Sequence, residues 1–240
     1  MLPRPSQLGL LLALASTAQG CSRGRDCTKL ADIANRRSAE IAQIDARESD
    51  TPETLATDMK ALSQVAGKVV EEVEALEFDD ETLEAQAARY GETAQDLSEA
   101  SQSYAALMDT LKKHRDARQK AESEFSKSGQ GLLDACATAS EACNAVGDIL
   151  RNQPENPEPT KLLALLDTYV DGLEALDLHE GPVSNAVAVR VAAAKAYKAI
   201  IERGANIDAD VEAARGRIHD AVEKQNGLIE QLNVFCVGED

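Results

Sequence analysis

Five cysteines, three histidines and one dense run of carboxylates are the side chains through which this sequence could do chemistry. The cysteines are Cys21, Cys27, Cys136, Cys143 and Cys236, an odd number that cannot all pair within one chain. In an oxidising compartment an even set of four makes two disulfides. A metal site would need a Cys-x-x-Cys pair or a Cys/His cluster, and the sequence has neither. Buried free thiols are the remaining reading. His114 stands among Lys112, Lys113 and Arg115, His179 falls between two helical patterns, and His219 neighbours Ile218. None has the Glu-x-x-His spacing of di-iron bundles, and His-Glu-x-x-His, Cys-x-x-Cys-His, a phosphate loop and a Gly-x-Ser-x-Gly elbow are all absent. The run Glu77-Phe78-Asp79-Asp80-Glu81 lacks the spaced oxygens and central glycine of a calcium loop. It reads instead as a helix start, where the positive end of the dipole favours acids. The expectation is a chain with no catalytic residues, no cofactor and no metal.

The N-terminus supplies an address. Arg4 gives a positive start, Leu8 to Ala15 form a short apolar run, and small or polar residues follow up to Cys21. That is the anatomy of a secretory signal peptide over residues 1–20, and the run is too short to span a bilayer. Its end, Ala18-Gln19-Gly20-Cys21, resembles the lipobox of bacterial lipoproteins, with Gly20 and Cys21 fitting the pattern. The resemblance implies cleavage before Cys21, lipidation of that cysteine, and a membrane held through this anchor by a linker over 21–26. Ser22 stands where an inner-membrane retention aspartate is found in some lineages, so the resemblance leans towards the outer membrane. Ordinary cleavage after Ala18, with Ser16 and Ala18 as the small residues, would release a soluble periplasmic protein instead. If Cys21 is lipidated, Cys27, Cys136, Cys143 and Cys236 remain for two disulfides.

Charge narrows the partners. With 42 acidic against 25 basic side chains the chain carries −17, which excludes a nucleic-acid surface. The densest positive stretch, Lys112-Lys113-His114-Arg115 with Arg118 and Lys120, suits either an acidic partner or a solvated helix face paired with Glu122 and Glu124. Hydrophobic residues still make up 43% of the chain while aromatics make up 3%, so a core is affordable and helices are favoured over a β-sandwich.

The elements that must position these residues follow from an apolar ruler of alternating four and three. A first helix reads Leu30, Ala34, Arg37, Ile41, Ile44, with Arg37 its one polar member. A second, opening at Thr51-Pro52-Glu53, reads Leu55, Met59, Leu62, Ala66, Val69, Val73, Leu76. A third, from about Asp80, reads Leu83, Ala87, Tyr90, Ala94, Leu97, Ser101, Tyr104, Met108, Leu111, and then passes through Arg115, Arg118 and Glu122 to Phe125. Ser128-Gly129-Gln130-Gly131 is expected to break it. The ruler resumes as Leu132, Cys136, Ala139, Cys143, Val146, Leu150, and Asn152 to Pro159, with three prolines, is expected to be a loop. A fifth helix reads Leu162, Leu166, Tyr169, Leu173, Leu176. A sixth, from about Pro182, reads Val187, Ala194, Tyr197, Ile201 and on to Ile229, Leu232 and Cys236, with a kink expected at Gly204-Ala205-Asn206. The fold class is all-α, an antiparallel helical bundle with coiled-coil-like heptad packing.

Leu76-Glu77 before Phe78-Asp79-Asp80-Glu81 recurs as Leu176-Asp177-Leu178-His179-Glu180, and Cys136 and Cys236 stand a hundred residues apart. Two duplicated helical units are expected, roughly 27–136 and 137–236, with a tail at 237–240. On one straight helix Cys136 and Cys143 would lie about 10 Å apart, beyond disulfide reach. The expected pairs are therefore Cys27–Cys136 and Cys143–Cys236, with Cys27–Cys143 and Cys136–Cys236 as the alternative. A Cys27–Cys236 bond would defeat both and bring the chain ends together. The expected function is a non-catalytic cell-envelope lipoprotein, an interaction or structural module with a protein partner in the envelope. The alternative is an exported binding protein that holds a small ligand among Tyr90, Tyr104, Tyr169 or Tyr197.

Overall fold

The computed structural model describes residues 22–47, 50–137, 141–151 and 159–237. The signal segment expected at 1–20, the anchor expected at Cys21, and most of the proline loop expected at 152–159 and of the tail expected at 237–240 lie outside these residues. Six helices account for the described chain: α1 (Ser22–Asp45), α2 (Pro52–Glu74), α3 (Glu81–Ala135), α4 (Glu141–Arg151), α5 (Pro159–Glu174) and α6 (Pro182–Val237). The fold is all-α, and no strand occurs among the described residues. Residues 22–26, expected as a linker, already belong to α1.

Local sequence explains where the helices begin. Thr51 caps α2: its hydroxyl accepts from the Thr54 backbone N–H at 3.2 Å, and the Thr54 hydroxyl accepts from the Thr51 N–H at 3.1 Å. Pro52 follows at the first turn, where its missing N–H costs nothing. Asp80 caps α3 by accepting from the N–H groups of Thr82 at 2.9 Å and Leu83 at 3.0 Å. The apolar ruler then decides what faces inward. Leu55, Met59, Leu62, Ala66, Val69 and Val73 of α2 are all buried, as are Leu83, Ala87, Tyr90, Ala94 and Leu97 of α3. Each large aliphatic side chain so buried contributes about 1.5–3 kcal/mol against the entropy of ordering the chain.

The chain divides into two compact units, each of which draws on both of the expected stretches 27–136 and 137–236. Of the described residues, those up to Thr110 and from Ala209 onward form a terminal unit, and those from Leu111 to Asp208 form a central unit. The long helices α3 and α6, of 55 and 56 residues, each contribute to both. In the terminal unit, Leu30, Val69, Leu83, Tyr90 and Leu232 share one core. In the central unit, Leu132, Val146, Tyr169, Leu173 and Val187 share another.

Two expectations are corrected, the break in α3 and the disulfide pairings. Ser128-Gly129-Gln130-Gly131 does not break α3, which runs on to Ala135. Gly129 makes room: a Cβ there would stand 3.2 Å from the Arg190 guanidinium. The helix α6 runs on through Gly204-Ala205-Asn206, where a Cβ on Gly204 would come within 2.7 Å of the His114 ring. The disulfides are Cys27–Cys236 and Cys136–Cys143, so both proposed pairings fail. The argument against Cys136–Cys143 assumed one straight helix through both residues. In fact α3 stops at Ala135 and α4 starts at Glu141, so the two cysteines flank a turn with their Cα atoms 5.4 Å apart. Cys27 meets Cys236 instead, at a Cα separation of 5.7 Å.

Candidate functional site

Buried polar groups with side-chain partners occur in both units. In the terminal unit Asp26, only 3% exposed, precedes the bonded Cys27 on α1. Its carboxylate accepts from the Asp79 backbone N–H at 3.0 Å and from Lys29 Nζ at 3.1 Å. The Asp79 N–H, helped by Lys29, holds this carboxyl below the usual aspartate range. The acidic run 77–81 is thus put to structural use: Asp80 caps α3, and the backbone of Asp79 docks on Asp26. Further along α1, Arg37 meets Glu72 of α2 with two nitrogens, Nε at 3.1 Å, and Glu40 at 2.6 Å. The guanidinium lowers the proton affinity of Glu72 despite burial. The ruler's one polar member on α1 is therefore paired rather than misplaced.

Deeper in this unit Tyr90 is 1% exposed, and burial pushes its phenol up to about 12, against the pull of a hydrogen bond with Gln225. Tyr104 is also buried, which raises its phenol. Neither hydroxyl is set up to lose a proton near neutrality.

The central unit holds a buried cation without a carboxylate. Arg190 of α6 is 7% exposed. Its Nε donates to the Tyr169 hydroxyl at 2.7 Å, and its Nη1 donates to the Phe125 carbonyl and, at 3.3 Å, to Ser128 Oγ. The guanidinium carbon lies 3.4 Å above the Phe125 ring centroid, and Phe125 in turn stacks on Tyr197 at 5.6 Å. Ring quadrupoles and neutral oxygens take the place of a counter-ion. No acid among the described residues pairs with Arg190, and its donors join α3, α5 and α6.

The histidines stay apart. His114 Nε2 bonds the Ile200 carbonyl at 2.7 Å, in the space left by Gly204. His219 faces Glu223 on the surface at 3.3 Å, and His179 lies in the connection between α5 and α6. Among the described residues no three His, Cys, Asp or Glu side chains gather as a metal set. An open groove of about 560 Å³ in the central unit is lined by Glu124, Lys127, Ser128, Gly131, Asn185 and Val189, with neighbouring Ala186. None of the four tyrosines lines it; all four are buried in the cores. Lys113, Arg115, Arg118 and Lys120 are exposed, and Lys120 approaches Glu124 at 3.9 Å.

No protein-family model matches the chain, and no curated protein or solved structure is significantly similar to it. The chemistry must therefore be read from the residues themselves. Reasoning from sequence missed Asp26, Arg190 and Gln225. The last two leave a trace: each is the polar member in an otherwise apolar ruler, Arg190 between Val187 and Ala194 and Gln225 between Val222 and Ile229. The trace marks a buried polar group but does not name its partner. Asp26 leaves no such trace, since it looks like any acid near a helix start.

Proposed function

We propose that this protein is a non-catalytic lipoprotein of the cell envelope, a disulfide-stapled helical bundle that serves as an interaction or structural module. One observation carries the reading. Cys27, Cys136, Cys143 and Cys236 consume one another in two bonds, so that of the five cysteines Cys21, at the end of the lipobox-like segment, is the one outside both. Two intramolecular disulfides fit an oxidising, exported location. Among the described residues no helix is long and apolar enough to cross a membrane, so attachment would fall to the lipid. With α1 beginning at Ser22 and bonded through Cys27, a lipid on Cys21 would tether the stapled end of the terminal unit. Ser22 favours the outer membrane as the destination. The partner is an envelope protein, and the charge of −17 speaks against nucleic acid.

The test is membrane fractionation with intact mass. The native chain should enter the detergent phase and carry the mass of an acylated N-terminal cysteine, and the Cys21→Ser chain should be released in soluble form. A Cys21→Ser chain that still sediments with membranes, together with a native chain of unacylated mass, would leave an unanchored exported bundle.

A further inference from the structure

Helix α2 ends at Glu74 and α5 at Glu174, while α3 begins at Glu81 and α6 at Pro182. The same turn closes both short helices. Ala75 N–H donates to the Glu71 carbonyl and Leu76 N–H to Val73, then Ala175 to Asp171 and Leu176 to Leu173. The cores repeat at the same interval of one hundred residues. Val69, Val73, Ala87 and Ala94 in the terminal unit answer to Tyr169, Leu173, Val187 and Ala194 in the central unit. The first helices correspond at a different interval, 116: Cys27, Leu30 and Ala34 of α1 answer to Cys143, Val146 and Leu150 of α4.

The far ends of the long helices correspond as well, but crosswise. Leu232 of α6 closes the core that holds Val73 and Leu83, whereas Leu132 of α3 closes the core that holds Leu173 and Val187. Tyr90 of α3 bonds Gln225 of α6, and their counterparts one hundred residues away are Arg190 of α6 over Phe125 of α3. Both disulfides obey one rule: the end of one set's long helix bonds the first helix of the other set, Cys236 to Cys27 and Cys136 to Cys143. Chance likeness between Ala/Leu/Glu-rich helices accounts for repeated apolar spacing. It does not account for matched cysteines and crosswise pairs.

We infer that the chain is a tandem pair of one three-helix repeat, α1–α3 and α4–α6, in which each repeat's bundle is closed by the far part of the other repeat's long helix. The partner that fits the open bundle of either repeat is therefore a second copy of that repeat, here supplied by the same chain. Each disulfide fastens an exchanged helix end to the bundle it enters.

Amide hydrogen exchange on the full chain tests this, because damage should appear in the repeat that receives a helix end rather than the one that donates it. Leu232→Ala should lower protection about tenfold or more across 22–45, 52–74 and 81–110, and leave 182–208 of its own helix near the native level. Leu132→Ala should do the converse, loosening 141–151, 159–174 and 182–208 while sparing 81–110. If either alanine chain fails to fold, Leu232→Val and Leu132→Val should show the same crosswise pattern at smaller amplitude. Losses confined to the repeat that carries the substitution, or spread equally over both repeats, overturn the inference.

Discussion

In the terminal unit the cation Arg37 faces the carboxylates of Glu72 and Glu40, and Asp26 anchors the turn before α3. In the central unit the cation Arg190 faces a tyrosine hydroxyl, a main-chain carbonyl and an aromatic face. Both units seat an arginine among helices, yet one neutralises it with acid and the other disperses its charge over rings and neutral oxygens. The staples differ too: one bond joins residues 209 apart in sequence, the other residues only 7 apart. Similar helical frames thus tolerate unlike solutions to a buried charge, provided every donor finds an acceptor. The solutions part company under reduction, acid and truncation.

The largest effect should come from the staples. In the chain-entropy model the long bridge stabilises by about 5 kcal/mol and the short one by about 2 kcal/mol. Cys27→Ser with Cys236→Ser should therefore move the urea midpoint much further than Cys136→Ser with Cys143→Ser. Equal shifts would mean that the unfolded chain is already compact enough to hold Cys27 near Cys236.

Next comes the loss of a counter-ion. Glu72→Gln strands the Arg37 side chain, 11% exposed, with only Glu40 for charge, and should cost about 2–3 kcal/mol. Arg190→Lys keeps a charge in the central unit but loses the planar stack on Phe125 and the forked donors. It should cost about 1–2 kcal/mol. Raising the salt should erode the native Arg37–Glu72 contribution and leave that of Arg190 nearly unchanged, since the second involves no ion pair. Denaturant melts of each variant at low and high salt read both statements.

Acid should then separate the units. Asp26 and Glu72 bind protons less readily when folded than when unfolded. Their stabilisation is complete above the unfolded carboxylate range, near pH 4, and drains away as the pH falls through the lower folded values. Arg190 has no acid to protonate. Amides of 22–45 should lose protection before those of 182–208 as the pH drops from about 6 to about 3. The reverse order would show that the surface pairs of the central unit, such as Lys198 with Asp167, matter more than Asp26 and Glu72.

Much of this frame was legible in the sequence because its determinants are local. Thr51-Pro52, Asp80 and the apolar ruler lie within a few residues of the structure they specify. The misread break in α3 has a physical cause, a small local cost overridden by a distant contact. Glycine in a helix costs only about 1 kcal/mol, so Gly129 and Gly131 could not stop α3 once Arg190 of α6 packed against Gly129. Cys136-Ala137-Thr138-Ala139-Ser140 has neither glycine nor proline, and the end of α3 at Ala135 gave no warning. Both disulfide expectations fell with that one boundary. The buried polar groups were half legible: Arg190 and Gln225 showed as gaps in the ruler, but their partners Tyr169, Phe125 and Tyr90 lie on other turns and other helices.

The smallest effect sharpens the glycine argument, because two neighbours on α3 should change sign. Around Gly131 nothing stands within 4 Å of an added Cβ, so Gly131→Ala should gain helix propensity without a clash and stabilise by about 0.5–1 kcal/mol. Gly227 of the terminal unit is equally open and should respond alike. At Gly129 the same methyl would press on Arg190 Nη1 at 3.2 Å and on Cζ at 3.4 Å. That guanidinium is pinned by Tyr169, Phe125 and Ser128, so it cannot swing aside as a surface arginine would. Gly129→Ala should therefore lose at least what propensity offers, for a net cost of about 1 kcal/mol. Combining it with Arg190→Met, which removes the planar group, should restore the gain seen at Gly131. Additive behaviour in that double variant would mean that the glycine does not owe its place on α3 to the arginine.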